Sequence, residues 1–421
     1  MRRIAIAISL LTALACACRR DRAGTCTVPL LLPASRPART AGAPAQSQAL
    51  AITHGPYLQA PSGSSITIVW TTNRPCASRV EYALSPDGPF ASAVEVRHGL
   101  LEANTTLHRV RLGGLKPGTT YHYRVVSREI VSYEHLKVVW GENVASPTAS
   151  FTTLDTARAA FSFLVLNDRH ENVAGLLKAL RRADWSGVDI VFYNGDMLHF
   201  VDSEEQIMRS VVDPSMQVFA ARIPFVFVRG NHETRGGFCR RLLDYFPTES
   251  GQYYYTLDHG PVRFIVMDAG EDKIDSDPEL HGLSDFASYV EAQTQWLKSQ
   301  IAQDRWRQAP FRVALVHLPP GRTADARMVR RKYVMDNWVP LLNSGGLDLL
   351  LCGHLHRYAH TPPQKESNDF HIVQGGTDTT IRVDAAASLL TVTTVTDSGE
   401  MRGRITIPRR QRPAATAPAE R

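Results

Sequence analysis

Five apolar segments between residues 161 and 352 are each followed by polar residues that can carry chemistry. Short runs of β-branched, aromatic and aliphatic residues predict buried strands of an α/β sheet. Such sheets place their reactive groups just beyond the carboxyl ends of the strands, so these side chains are expected to meet at one sheet edge. The segments are Phe161–Leu166 before Asp168 and His170, Asp189–Tyr193 before Asp196, Pro224–Val228 before Asn231, His232 and Glu233, Phe311–Val316 before His317, and Leu347–Cys352 before His354 and His356.

Apolar residues recur at helical spacing between these strands. The clearest case is the i, i+3, i+4, i+7 spacing of Val173, Leu176, Leu177 and Leu180. Later helices are expected around 295–297 and 338–342. The alternation of strands and helices predicts α/β architecture that continues to about residue 378. Strand-rich segments at 388–395 and 404–407 are expected to close the fold.

Residues 51–155 have a different pattern, in which short segments of alternating apolar and polar residues are separated by turn residues. The predicted strands are Ser65–Trp70, Ser78–Tyr82, His108–Leu112 and Tyr121–Val126. The segment Leu115–Tyr121 has the form of the tyrosine corner of an immunoglobulin-like sandwich, and Trp70 fits its buried aromatic. With Gly55–Leu58 at its entry, the region resembles a fibronectin type III module and, more closely, the N-terminal sandwich of purple acid phosphatase-like proteins. A spacer without chemistry is the favoured interpretation, and a domain that shields the active-site mouth is the alternative.

Composition and charge bound the architecture more than the function. The 421 residues are 43% hydrophobic, which is enough for two domains with cores of their own. The formal net charge is +6, but arginines crowd both ends of the chain, among them Arg2, Arg3, Arg409 and Arg410. No Lys/Arg run in the body has the form of a duplex-binding patch, so no nucleic-acid-binding module is expected.

The N-terminus predicts export. Basic residues in Met1–Arg3 precede a short apolar stretch, Ile4–Ala15, that is too short for a permanent bilayer-spanning helix. Cys16 and Cys18 follow small residues, which resembles a bacterial lipoprotein signal and implies a lipid anchor to the membrane. Leu14 stands two residues before Cys16 rather than three, so plain secretion is the alternative. Residues 1–18 are therefore predicted to be a signal peptide, and the protein a periplasmic or cell-surface lipoprotein or a secreted protein.

Two further segments lack the periodicity of a folded domain. Residues 19–50 are rich in Pro, Ala, Arg, Ser and Gln and are predicted to be a linker. The Pro/Ala/Arg-rich tail 409–421 is predicted to be disordered. Outside the signal, the cysteines are scattered without zinc-type spacing, so buried thiols are expected, with one disulfide as the alternative. They are Cys26, Cys76, Cys239 and Cys352.

The strand-end residues form a donor set for hard or borderline divalent cations, because they are carboxylates, imidazoles and an amide without a thiol. Seven side chains are too many for one tetrahedral ion and about right for two ions that share a ligand. A carboxylate can bridge two cations through its two oxygens. Glycines 195, 230 and 353 precede three of the ligands and allow close backbone approach. The seven residues are Asp168, His170, Asp196, Asn231, His317, His354 and His356.

In this order, Asp-x-His, Gly-Asp, Gly-Asn-His-Glu, a lone His and Gly-His-x-His resemble the calcineurin-like metallophosphoesterases over about residues 160–378. The resemblance implies a four-layer αββα sandwich, here 160–408, preceded by the all-β immunoglobulin-like (fibronectin III-like) sandwich at 51–155. It implies one ion held by Asp168, His170, Asp196 and His356. It implies a second held by Asp196, Asn231, His317 and His354. His232, oriented by Glu233, would act on the leaving oxygen.

Two features depart from the family pattern. The first motif has Asn167 before Asp168 where the family usually has glycine, and the ligand itself is retained. True purple acid phosphatases carry a glycine and an iron-binding tyrosine where this chain has His170 and His199. The ligands therefore indicate the general metallophosphoesterase branch, with Mn, Fe or Zn as the pair of ions. Three residues near the motifs are candidates for substrate binding, namely Arg169, His199 and Arg235.

The resulting prediction is an exported dinuclear-metal hydrolase of small phosphate esters, in which a metal-bridging hydroxide attacks phosphorus. Asp196, as the shared ligand, and His232 are the predicted catalytic residues. A phosphodiesterase or nucleotidase is left open beside a phosphomonoesterase, because specificity lies in loops. The alternative from another class is a non-catalytic cell-surface binding protein that retains the hydrolase fold.

Overall fold

The first part of the structure is a β-sandwich in which one long strand passes between both layers. The computed structural model describes residues 49–322 and 325–410, so the predicted signal peptide, nearly all of the linker and most of the tail lie outside the described residues. The strands are β1 (Ile52–Gln59), β2 (Ser65–Ala83), β3 (Ala91–Ala93), β4 (Val96–Arg97), β5 (Leu100–Leu101), β6 (Thr105–Gly113), β7 (Thr120–Glu134), β8 (Lys137–Ala145) and β9 (Ala149–Thr152).

Strand β2 joins what the sequence predicts as two separate strands. Its first half pairs with β1 and β6, and its second half pairs with β3 and β7. The partners change between Thr71 and Cys76, around Pro75, which has no N–H to donate. Trp70 is fully buried in the sandwich core, as expected. The predicted tyrosine corner is present too, because the Lys116 N–H donates to Tyr121 Oη at 3.0 Å.

The second part contains two six-stranded sheets that pack face to face. The first has the order β12-β11-β10-β19-β20-β21 and the second the order β13-β14-β15-β16-β18-β17. Strands β10, β11 and β12 run parallel, as do β14, β15, β16 and β18. The strands are β10 (Ala160–Leu166), β11 (Val188–Asn194), β12 (Phe225–Val228), β13 (Tyr255–His259), β14 (Val262–Met267), β15 (Phe311–Val316), β16 (Leu349–Cys352), β17 (Ala359–Thr361), β18 (His371–Gln374), β19 (Thr379–Ala386), β20 (Leu389–Thr396) and β21 (Met401–Pro408).

Helices cover the outer faces of both sheets, which completes the predicted four-layer αββα arrangement. Phe163, Phe192 and Phe264 are fully buried between the sheets, each worth about 1.5–3 kcal/mol of burial. Separate apolar clusters lie under the helices of each outer face. The helices are α1 (Val173–Arg182), α2 (Glu204–Ile207), α3 (Asp213–Met216), α4 (Leu242–Tyr245), α5 (Phe286–Ile301), α6 (Asp304–Gln308), α7 (Val329–Tyr333) and α8 (Val339–Ser344). π-helical turns at Met208–Val212 and Val334–Trp338 connect α2 to α3 and α7 to α8.

The sandwich is fixed to the outer helical layer of the first sheet. The Tyr57 hydroxyl donates to the Tyr245 carbonyl at 2.8 Å, in a buried position next to α4. The Tyr123 hydroxyl donates to the Ala221 carbonyl at 2.9 Å. Arg109 Nη1 pairs with Asp244 Oδ1 at 3.0 Å. These contacts lie on α4 and the loop after α3.

The last two described residues contact neighbouring segments of the fold. The Arg409 N–H donates to the Ser388 carbonyl at 2.9 Å. Arg410 Nε lies 3.4 Å from Asp348 Oδ1. These two residues at the start of the predicted tail 409–421 therefore contact the body of the fold, and the rest of the tail lies outside the described residues.

The described cysteines are buried free thiols, as predicted: Cys76, Cys239 and Cys352. The predicted thiol Cys26 lies outside the described residues. Within residues 49–322 and 325–410, no helix has the combination of length and apolar character that crossing a membrane requires.

Candidate metal centre

The carboxyl ends of strands from both sheets bring the seven predicted donors to one edge. The loops after β10, β11 and β12 come from the first sheet, and those after β15 and β16 come from the second. Two groups of ligand atoms that include carboxylates converge there, Asp168, His170, Asp196 and His356 in one and Asp196, His317 and His354 in the other. A third group beside them consists of the imidazoles of His170, His199 and His232. Asn231 joins the second group, because its Oδ1 lies 3.0 Å from His354 Nδ1. Asp196 is the one residue shared by the two groups that include carboxylates.

The donor atoms face one another, and two of the buried ones lack the hydrogen-bond partners that buried polar atoms need. His170 Nε2 and His356 Nε2 lie 2.9 Å apart, and His356 Nε2 is 3.5 Å from Asp168 Oδ1. Asp196 Oδ2 and His317 Nε2 are 3.0 Å apart, and neither makes a hydrogen bond. Buried polar atoms left without partners are costly, and a cation between them would satisfy both. The donor set therefore fits divalent metal ions.

Electrostatics at this edge favour positive charge. Although burial alone would lower it, Asp196 and Asp168 raise the pKa of His317 to about 10. In turn, burial and Asp196 raise the pKa of Asp168, since two carboxylates share the site. Burial lowers the pKa of His170 to about 4 and of His354 to about 3, so both imidazoles are neutral and available as ligands.

The backbone at the ligands adopts a conformation that most residues avoid. Asp168, His170, Asp196, His354 and His356 all have positive φ, between 44° and 73°. Non-glycine residues in this region carry strain of order 1–3 kcal/mol each and cluster at functional sites. Gly195 also has positive φ, and a Cβ there would collide with the His317 ring. The glycine before Asp196 is therefore needed for both the turn and the close approach.

Glu233 has a different role from the predicted one. Its Oε2 accepts from the N–H groups of Asp196 at 2.8 Å and Gly230 at 2.9 Å. Its Oε1 accepts from the Leu198 N–H at 3.0 Å. Burial and the nearby Asp196 raise the pKa of Glu233 to about 7. The expectation that Glu233 orients His232 is wrong, because this carboxyl group holds together the loops after β11 and β12.

His232 is instead oriented by a backbone carbonyl. Its Nδ1 lies 2.9 Å from the His199 carbonyl oxygen, which can only accept, so Nδ1 carries the proton. Its Nε2 lies 3.9 Å from Asp196 Oδ2 and 3.3 Å from Arg235 Nη1. The rings of His170, His199 and His232 are neighbours, with centroids 4.7–5.6 Å apart. His199 is exposed beside the cluster, where a substrate can reach it.

The three candidate substrate-binding residues do not all lie at the cluster. Arg169 is buried, with Nη1 2.7 Å from Asp397 Oδ2 and Nη2 donating to the Thr379 carbonyl. It therefore ties the loop after β10 to β19 and does not face the cluster, contrary to the prediction. Arg235 lies beside His232 and makes a two-pronged ion pair with Glu271 at 2.7 and 2.8 Å. Together with His199, it borders the cluster.

A group of acidic residues after β14 was missed by the sequence analysis. Asp268 pairs with Arg229, Glu271 with Arg235, and Asp272 Oδ2 lies 3.7 Å from His354 Nε2. Burial and the neighbouring Glu271 raise the pKa of Asp272 to about 8. The run Val262–Met267 ends on Asp268 just as the other strands end on their polar residues, so the same pattern could have found it.

Two family models match the chain, one in each part. Residues 161–358 match the calcineurin-like phosphoesterase family. Residues 55–153 match the purple acid phosphatase N-terminal domain. The matches fall on the two-sheet part and on the β-sandwich.

The chain is similar to several known acid phosphatases. Acid phosphatase type 7 of Homo sapiens is 25% identical over 323 residues, which cover 71% of this chain and 68% of that protein. Purple acid phosphatase 22 of Arabidopsis thaliana is 23% identical over 322 residues, 70% of this chain and 63% of that protein. A purple acid phosphatase from yellow lupin (Lupinus luteus) seeds has a similar structure, with a TM-score of 0.61 at 16% identity over 84% of this chain and 74% of that one. The last comparison concerns the fold alone.

Proposed function

Because this chain joins a calcineurin-like phosphoesterase domain to a purple acid phosphatase N-terminal domain, we propose that its strand-end cluster binds two metal ions and hydrolyses small phosphate esters. The domain family makes the chain a metal-dependent phosphoester hydrolase. The observation that carries the proposal is the position of Asp196, which is shared by the two groups of converging donor atoms that include carboxylates.

The proposed ligands are the seven residues predicted from the motifs. Asp168, His170, Asp196 and His356 would hold one ion, and Asp196, Asn231, His317 and His354 the other. When bound, a pair of Mn, Fe or Zn ions would acidify a water molecule and neutralise charge on the phosphate oxygens. The orphaned Asp196 Oδ2 and His317 Nε2 support this ligand set.

The chain's own residues would prepare the site and manage the leaving group. Glu233 keeps the loops after β11 and β12 in place through three backbone N–H groups. The His199 carbonyl holds the His232 proton on Nδ1, so Nε2, which lies 3.3 Å from Arg235 Nη1, is the atom that would exchange a proton with a departing alkoxide. Arg235, held by Glu271, can contact a phosphate oxygen from the same side.

Two further aspects of the proposal are the location of the protein and the class of ester, and the first rests on the sequence alone. Export follows from the predicted signal peptide at residues 1–18, as a lipid-anchored or a freely secreted protein. The choice among monoesters, diesters and nucleotides depends on the loops around the cluster.

The Asp196→Asn variant tests the dinuclear site. We expect the fold to be retained, the metal content to fall from two ions per chain, and nearly all turnover of phosphate esters to be lost. Metal analysis and rates on metal-reconstituted protein would measure this, with Asp184→Asn, an exposed carboxylate after α1, as the control.

Two ions and normal rates in Asp196→Asn would contradict the site. Wild-type protein that binds two ions and turns over no phosphate ester would favour the alternative of a non-catalytic binding protein.

A further inference from the structure

A cavity of about 780 Å³ lies next to the metal centre. Its walls are the segment 234–243 after His232 and the loop 271–286 before α5. Cavities of 300–1,000 Å³ are typical of sites for drug-sized ligands. The cavity is therefore larger than a phosphate group needs.

The cavity begins where the metal centre ends. Arg235 lines it and also contacts His232, with Nη1 3.3 Å from Nε2. Phe200 lines it as well, and its ring centroid is 4.9 Å from that of His199. An ester bound at the metal centre with its leaving group on the His232 side would therefore place that group in the cavity.

Aromatic rings form its floor. Arg229 lies over the Tyr253 ring at 4.0 Å and near the Phe286 ring at 5.8 Å. Asp268 fixes this arrangement, because it binds Arg229 at 2.6 Å and accepts from the Tyr289 hydroxyl at 2.9 Å. The floor is thus preformed, which reduces the entropy lost when a ligand binds.

Exposed apolar side chains line the cavity beside charged ones such as Arg240, Lys273 and Glu279. Of the apolar ones, Phe200 is 42% exposed and Leu283 is 71% exposed. Exposed apolar residues grouped around a cleft indicate a ligand-binding groove. Small polyol groups would leave these surfaces in water, whereas a flat ring would cover them.

From these features we infer that the cavity is a leaving-group site for phosphate esters of alcohols that carry an aromatic or heteroaromatic ring, such as nucleosides. The inference rests on the proposed function, because it assigns a substrate class to the same centre. A ring buried between Phe200, Leu283 and the aromatic floor gains binding that a polyol cannot. Discrimination in apolar pockets is commonly 10- to 200-fold.

The test compares esters of primary alcohols, so that leaving-group reactivity is similar. Adenosine 5′-monophosphate and benzyl phosphate are compared with glycerol 3-phosphate, using metal-loaded full-length protein. We expect kcat/KM to be at least about tenfold higher for the two ring-bearing esters. Comparison of those two esters separates a general aromatic site from one that requires the nucleoside.

Filling the cavity should remove this preference. Gly237 lines the cavity, and an added Cβ there would meet no atom within 4 Å. Gly237→Trp should bring the ratio of kcat/KM values close to one, whereas Gly237→Ala should keep the wild-type ratio. Leu283→Ala should lower the ratio without adding bulk, and Leu136→Ala, an exposed leucine on the β7–β8 hairpin, is its control.

Binding measurements keep this test independent of turnover. Calorimetry should show that adenosine 5′-monophosphate binds more tightly than glycerol 3-phosphate, and that Gly237→Trp removes the difference. Equal values for all three esters in the wild type, or an unchanged preference in Gly237→Trp, would overturn the inference while leaving the phosphoesterase intact. Absence of turnover with preferential binding retained would instead overturn the proposed function alone.

Discussion

His232 differs from its neighbours in which atoms it can reach. Its Nδ1 is committed to the His199 carbonyl, and its Nε2 lies 3.9 Å from Asp196 Oδ2 and 3.3 Å from Arg235 Nη1. Burial lowers the pKa of His232 below its usual value near 6.5. A histidine of this kind is protonated only at acidic pH, where it can donate to a departing oxygen.

The His232→Ala variant should separate leaving-group assistance from metal binding. We expect it to keep both ions and to lose about 10²–10⁴-fold in rate on alkyl phosphates, the usual contribution of general acid catalysis. The loss should be much smaller on an activated aryl phosphate, whose leaving group needs no proton. Metal analysis and the ratio of the two rates measure this.

The pH profile gives a second readout of the same role. Burial lowers the pKa of His232 below 6.5, and its protonated fraction falls as pH rises through that lowered pKa, so the wild-type rate on alkyl phosphates should decline on the acidic side of neutrality. His232→Ala should lack this decline. Equal losses on alkyl and aryl esters would exclude the role, and loss of metal would make His232 a structural residue.

At the scale of residues, the sequence identified the donors because each follows its strand within a few positions. Gly195-Asp196 and Gly353-His354 are local patterns whose meaning does not depend on distant contacts. Arg169 and Glu233 were misjudged for the opposite reason. The partners of Arg169 lie on β19 and in the loop after β20, more than 200 residues away, and no local pattern indicates them.

At the scale of elements, the sandwich is docked rather than merely tethered. Tyr57 lies on β1, fully buried, and reaches across to the backbone of α4. The spacer interpretation from the sequence gave no reason to expect this contact, because both partners look like ordinary core residues. Strand β14 was also not predicted, although Val262–Met267 is an apolar run in the sequence.

Removal of the Tyr57 hydroxyl tests the docking contact. Tyr57→Phe leaves the buried Tyr245 carbonyl without its donor, so the free energy of unfolding should fall by about 1–3 kcal/mol. Turnover by the folded variant should stay near the wild-type value, because the contact is made on α4. Denaturant unfolding and phosphate release measure the two quantities.

Tyr82→Phe, in the same sandwich but on β2, is the matched control and should cost much less. An equal loss of stability in both variants would show that the docking hydrogen bond carries no special weight. A large loss of activity in Tyr57→Phe would show that the sandwich acts on the centre.

At the scale of the whole molecule, the alternation of apolar strands and helices predicted α/β architecture, and the family resemblance implied its four layers. The sequence does not reveal that those strands divide between two sheets, because β10 to β12 and β14 to β16 have the same apolar texture. Division into sheets depends on which strands pair over long separations. The order β10-β19, with more than 200 residues between the partners, is one such pairing.

The donors divide between those same two sheets. Asp168, His170, Asp196 and Asn231 follow strands of the first sheet, whereas His317, His354 and His356 follow strands of the second. Each proposed ion would therefore take ligands from both sheets. A bound ion would act as a removable cross-link that closes a long loop, much as a disulfide does.

With such a cross-link, the stability of the interface between the two sheets depends on how much metal is bound. At a free-metal concentration 100 times the Kd, each bound ion adds about 2.7 kcal/mol to the free energy needed to separate the two sheets. Amide hydrogen exchange in β10, β11, β15 and β16 should therefore slow by about 100-fold per ion, while amides of the exposed strand β8 keep their metal-free rates. Equal slowing in β8, or none in β15 and β16, would mean that the ions do not join the two sheets. If the ions do join the two sheets, loss of metal loosens the enzyme along a plane through its core rather than at its surface.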